Sequence, residues 1–144
     1  MPTTSSTSTT TARPAPAVPD YAPLFAEEAV VIDGDTVDVG DTRVQLEGIE
    51  APQRGECNFA TAGDHLDDLI ADGEVTVLSA GATDRDDSTL GYLETDGRDL
   101  NLAQIEAGYA IARYDPQDGS PAHPREDTYR AADEATEPVA ECGP

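Results

Sequence analysis

From Glu28 the chain alternates apolar and polar residues with a period of two, and turn-forming residues interrupt it at short intervals. This predicts a β-meander with strands near 28–33, 35–39 and 42–50, Gly40-Asp41 forming the second hairpin turn. Ala51 to Cys57 reads as a loop, and a helix follows from Asn58 to Ala71. Asn58 is placed to cap it, Phe59, Ala62, Leu66, Leu69 and Ile70 form one apolar stripe, and Gly73 lies past its end. Glu74–Ala80 is a fourth strand, 81–89 a polar loop, and Leu90–Thr95 a fifth strand that Asp96-Gly97 turns into Arg98–Leu100. Asn101 opens a short helix with Gln104 at the reciprocal capping position, and Gly108 stops it. Residues 109–114 are extended, 115–121 form a loop, and Pro124 starts a last helix running to about Glu137. Five strands interrupted by one helix after the third is the order of an OB-type barrel, a mainly β (α+β) fold flanked here by three helices.

Composition changes this picture at the N-terminus. Residues 1–26 are rich in Ser and Thr, then in Pro and Ala, with almost nothing to bury, so they read as a disordered spacer ahead of a folded domain at 27–144. Such spacers join folded domains to membrane anchors, although the chain has no apolar run long enough for a membrane span.

Charge changes it more. Thirty acidic residues stand against eight basic ones, giving a formal net charge of -22, and every basic residue is Arg. Such a chain repels itself and repels nucleic acid unless salt shortens the Debye length to about 3 Å at 1 M. The expectation is a monomeric halophile protein that meets nucleic acid only at high salt. A Cys57–Cys142 disulfide would close a loop of about 85 residues, worth about 4 kcal/mol, and would place the protein outside the cytoplasm, secreted or at the cell surface. Two free thiols are the alternative.

The chemistry concentrates in Val30-Val31-Ile32-Asp33-Gly34-Asp35-Thr36-Val37, an apolar run broken by a carboxylate-glycine-carboxylate turn. Two carboxylates so close attract a hard cation. The strand 42–50 ends in Glu50, and if it pairs with the first strands, Asp35 and Glu50 could share one metal. Asp33 and Asp35 have an ordinary Asx turn as their structural alternative. His65 and His123 are isolated in sequence and are expected to be exposed and uninvolved.

Val31-Ile32-Asp33-Gly34-Asp35-Thr36, Leu46-Glu47-Gly48-Ile49-Glu50-Ala51-Pro52, Leu90-Gly91-Tyr92-Leu93, Asp96-Gly97, Asn101-Leu102 and Gly108-Tyr109-Ala110 occur in that order. With these motifs the chain from about Glu28 to Cys142 resembles the staphylococcal nuclease (thermonuclease) family, the second matching its L-x-G-I-D-A-P-E. The resemblance implies an OB barrel and calcium-dependent hydrolysis of DNA and RNA phosphodiesters. By position it assigns calcium to Asp35, Glu50 and the Ala51 carbonyl, with Asp33 beside them, and it places Tyr92 and Tyr114 near the nucleotide.

Four positions depart from the family pattern. Glu50 stands where the family has Asp and is one methylene longer, a change that calcium's flexible coordination tolerates. Gln53 stands where a general-base carboxylate belongs, and an amide can orient a water but cannot take its proton. Gln45 and Ser88 stand where two phosphate-gripping arginines belong. Arg43, two residues from Gln45 and about 7 Å along the strand, and Arg85, three residues before Ser88, are the candidate replacements, or else they pair with surface acids. Three functions follow: a salt-adapted nuclease, a nuclease-fold domain that binds calcium, a nucleotide or a protein without hydrolysis, or a purely structural surface module.

Overall fold

A computed structural model describes residues 20–71, 73–84 and 86–137. Its strands are β1 (Pro23–Asp33), β2 (Thr36–Val39), β3 (Thr42–Leu46), β4 (Ile49–Glu50), β5 (Glu74–Leu78), β6 (Thr89–Thr95), β7 (Arg98–Asp99) and β8 (Ile111–Ala112). Its helices are α1 (Phe59–Ile70), α2 (Leu100–Glu106) and α3 (Glu126–Ala135). The strand order β3-β2-β1-β5-β6 closes on itself because β3 also pairs in parallel with β6, through Val44–Thr89 and Leu46–Gly91. The result is a closed five-stranded barrel with three helices, as the element order predicts.

β1 makes closure possible by serving two partners. Its first half, Pro23 to Glu28, pairs with β5, and its second half, Ala29 to Asp33, pairs with β2. Register shifts between Pro23 and Phe25 and between Val31 and Asp33 mark its irregularities. The strand therefore starts at Pro23, inside the stretch assigned to the spacer; residues 1–19 of that spacer lie outside the described residues. The alternation in the sequence becomes the pleat: Val37, Val39, Val44, Leu46, Val75, Val77 and Leu93 are buried with Leu66 and Ile70 of α1. Among the described residues no helix is long and apolar enough to cross a membrane.

Four local expectations change. The single strand 42–50 is two, because Gly48 adopts φ 85° and lies under the last helix, where a Cβ would come within 2.6 Å of His123 and 2.8 Å of Tyr129. β4 then pairs with β8 instead of continuing β3. Asn58 occupies the α1 cap position in left-handed backbone, φ 69°, and its side chain makes no capping hydrogen bond, although its carbonyl accepts from Ala62 N–H at 2.9 Å. α2 is capped by Asp99, whose Oδ1 accepts from Leu102 N–H at 2.9 Å, so Asn101 and Gln104 are not its caps. Both are fully buried, and their amides serve other segments.

Candidate active site

The acidic turn lies where β1 hands over to β2. Asp33 Oδ1 accepts from Asp35 N–H at 3.1 Å, an Asx turn, so the structural alternative holds for this residue. Asp35 is buried. Its Oδ2 accepts from Ala51 N–H at 2.9 Å, which brings the turn against the Glu50–Ala51 segment, and its own carbonyl accepts from Leu46 N–H at 2.8 Å. The Thr36 hydroxyl lies 3.2 Å from Asp35 Oδ1 and 3.1 Å from Gln45 Oε1. Burial first, and then the Asp33 carboxyl beside it, push the Asp35 carboxyl up to about 7; the Ala51 N–H and the Thr36 hydroxyl work the other way.

Glu50 adds the second carboxylate. Its Oε1 is buried and has no hydrogen-bond partner, although Arg113 Nη1 stands 2.9 Å away as an ion pair. The Arg113 guanidinium thus already answers the charge of this oxygen, and an ion bound at Glu50 would have to compete with it. The Ala51 carbonyl, the third oxygen of the expected set, accepts from Gln53 Nε2 at 2.9 Å. Among the described residues no group of three or more His, Cys, Asp and Glu side chains is gathered as a metal cluster. The residues that fit calcium are thus two carboxylates and a carbonyl already engaged, with Asp33 committed to its turn.

These side chains line an open groove of about 1490 Å³. Nine carboxylates face it: Asp33, Asp35, Asp38, Asp41, Glu47, Glu50, Asp84, Asp86 and Asp87. Burial raises the carboxyl of Glu47, which accepts from Tyr21 Oη at 3.0 Å. Arg43 is the one described arginine on the groove wall, and its Nε and Nη2 grip Asp38 at 2.6 and 3.1 Å across the β2–β3 hairpin. It pairs with a surface acid, the second of its two alternatives. Arg85 lies outside the described residues. Gln53 is exposed on the rim, its N–H donating to Glu56 Oε1 at 2.7 Å.

The two tyrosines part company. Tyr114 lines the groove, 48% exposed, with φ 63°. Tyr92 is fully buried and absent from the groove wall, so its assignment to the nucleotide is corrected. It stacks on Tyr21 at 5.0 Å, accepts from Arg125 N–H at 3.2 Å, and shares a 2.6 Å hydrogen bond with His123 Nδ1. His123 is therefore buried, contrary to expectation, and desolvation lowers its pKa. His65 is half-buried against Tyr109, its Nδ1 bonded to Gln104 Oε1. Cys57 lies in the exposed loop before α1, while Cys142 lies outside the described residues.

Sequence reasoning missed Arg113, Gln104 and His123. Arg113 follows β8 and reaches the site because β8 pairs with β4, which carries Glu50. The only sequence signal for it was its place in an extended segment next to Tyr114.

The family model of staphylococcal nuclease homologues matches residues 43–137. The chain is 32% identical over 108 residues to the micrococcal nuclease of Shigella flexneri, covering 66% of this chain and 62% of that protein. It is 31% identical over 97 residues to the succinoglycan biosynthesis protein ExoI of Rhizobium meliloti (strain 1021), covering 60% of this chain and 51% of that protein. It thus spans only about half to three fifths of the length of these curated relatives. With the family model spanning about two thirds of the chain over a closed five-stranded barrel, this protein belongs to the staphylococcal nuclease homologue family.

Proposed function

We propose that the chain is a calcium-dependent nucleic-acid phosphodiesterase adapted to high salt, with low catalytic efficiency. The observation that carries this reading is two carboxylates on one groove, Asp35 bonded to the Ala51 N–H and Glu50 beside it, ion-paired with Arg113. Family membership supplies the substrate class. Asp35, Glu50 and the Ala51 carbonyl would hold the ion, whose charge offsets that of the phosphate. Gln53 uses its Nε2 on Ala51, which leaves its Oε1 to orient a water but not to take up a proton. Arg43 is held by Asp38, so Arg113, the guanidinium at Glu50, is the cation best placed to meet phosphate once calcium takes over the carboxylate. With nine carboxylates on the groove, an anionic polymer approaches only where salt screens them.

The deciding assay is hydrolysis of single-stranded DNA and RNA at multimolar KCl, with calcium and then with excess chelator, for the wild type, Asp35→Ala and Arg113→Ala. Calcium-dependent cleavage lost in Asp35→Ala is expected. A folded wild type that binds calcium and cleaves neither polymer would sink the enzymatic reading. That outcome favours the second one, a nuclease-fold domain that keeps a cation site without hydrolysis, for which the commitments of Gln53 to Ala51 and Arg43 to Asp38 speak. Extracytoplasmic placement belongs to the same proposal, and a Cys57–Cys142 bridge found by non-reducing peptide mapping would support it.

A further inference from the structure

The acidic turn is gripped from behind by a side chain that takes no part in the site as described so far. Gln104 of α2 is fully buried, and its Nε2 donates to Gly34 O at 2.8 Å and Ala62 O at 3.0 Å. An amide nitrogen carries two protons, and both are used. Its Oε1 must therefore accept, and the partner is His65 Nδ1 on α1, so that ring nitrogen carries a proton. The amide is fixed at both ends.

The carbonyl it holds belongs to the peptide joining Gly34 to Asp35. The N–H of that same peptide donates to Asp33 Oδ1 at 3.1 Å. One peptide plane between the two acids is thus pinned through its oxygen by Gln104 and through its hydrogen by Asp33. Gly34 leaves no slack, since a Cβ there would come within 2.8 Å of the Cβ atoms of Ala51 and Ala62. Without Gln104 the buried Gly34 carbonyl would lose its partner, and rotating the peptide toward water would relieve it. That rotation would swing Asp35 off the Ala51 N–H.

Asn101 provides a contrast on the same helix. It is equally buried, but its amide joins Leu93 N–H to the carbonyls of Glu47 and Gly91, which ties β6 to the end of β3 and does not touch the acidic turn. α2 therefore carries one amide for the barrel seam and one for the turn.

We infer that Gln104, oriented by His65, is a positioning residue for the cation site, setting the Asp33–Asp35 turn through the Gly34 carbonyl. The inference rests on the calcium reading above. Its test is calcium affinity by isothermal titration calorimetry at fixed high KCl, paired with amide hydrogen exchange by NMR, on full-length wild type, Gln104→Met, His65→Phe and His65→Gln. Removing such an outer support weakens metal binding by about 10- to 100-fold, the loss expected for Gln104→Met. His65→Phe keeps the packing on Tyr109 but loses the donor and falls in the same direction, and His65→Gln, which restores a donor, recovers affinity. Exchange should quicken at Asp35 and Ala51 while Val77 and Leu93 stay protected. Unchanged affinity in Gln104→Met and His65→Phe, or exchange that quickens uniformly over the barrel, would overturn the inference and leave the calcium reading standing. If Gln104→Met does not fold, the two His65 variants decide. A wild type that binds no calcium would overturn the site reading and this inference with it.

Discussion

The clasp around Arg125 and the groove above Asp35 draw on the same residue types, Asp, Glu, Arg and Tyr, and handle charge in opposite ways. In the clasp each charge is answered: Arg125 contacts Asp99 and Glu94 at 2.9 Å and Asp20 at 3.1 Å, and its guanidinium lies 4.4 Å from the centre of the Tyr92 ring. Tyr129 Oη donates to Asp99 at 2.8 Å, and Arg130 closes the neighbouring loop with a fork on Asp115 and a contact to Asp118. The groove has nine carboxylates and one described arginine, already spent on Asp38. Its acids meet the repulsion by keeping a proton, as Asp35 does near neutrality, or by pairing with an arginine from beside the groove, as Glu50 does with Arg113. A cluster gathered on a shared guanidinium holds the fold together, whereas a groove whose acids far outnumber the arginines paired with them costs stability until a further cation arrives.

Removing the cation of the clasp should have the largest effect. Arg125→Met strands Glu94 and Asp99 and lowers unfolding free energy by about 3–5 kcal/mol in urea titrations, with calcium affinity of the folded protein unchanged. A matching loss of calcium affinity would mean the two regions are not separable. Next comes Asp35, whose folded pKa lies above its unfolded value of 3.8. The folded state keeps the proton that the unfolded chain has lost, so this group's stability is full below about pH 4 and disappears as pH rises through about 7. Asp35→Asn has no charge to bury. Without calcium it should match the wild type near pH 4 and exceed it above pH 7 by on the order of 4 kcal/mol, read from paired melting curves.

Calcium itself comes third. At a hundredfold excess over Kd it should stabilise the wild type by about 2.7 kcal/mol, and Glu50→Gln should abolish that gain in differential scanning fluorimetry. The smallest effect belongs to Arg43→Ala, which removes an exposed pair on the groove wall. Melting temperature and hydrolysis should both stay at wild-type values; a large drop in hydrolysis alone would return Arg43 to the phosphate site.

The sequence by itself determined the elements and the place of the acidic turn. Period-two alternation in 36–46, the 3.6-residue stripe of 59–70 and the Gly40 and Asp96-Gly97 turns are local signals, because backbone geometry repeats over a few residues. Asp33, Asp35 and the Glu50-Ala51 pair were visible for the same reason, as was the choice between pairing and phosphate contact for Arg43, which faces Asp38 across one hairpin. Only the tertiary structure decided the partners. Tyr92 meets His123 across 31 residues, Gln104 meets Gly34 across 70, and Arg125 meets Asp20 across 105. No periodicity records such distances, since barrel closure and helix docking choose those neighbours. A tyrosine assigned to substrate thus became core, a cap became the support of the turn, and a histidine expected in solvent became buried. A side chain's type sets what it can bond, but burial and the groups packed around it decide which bond it makes.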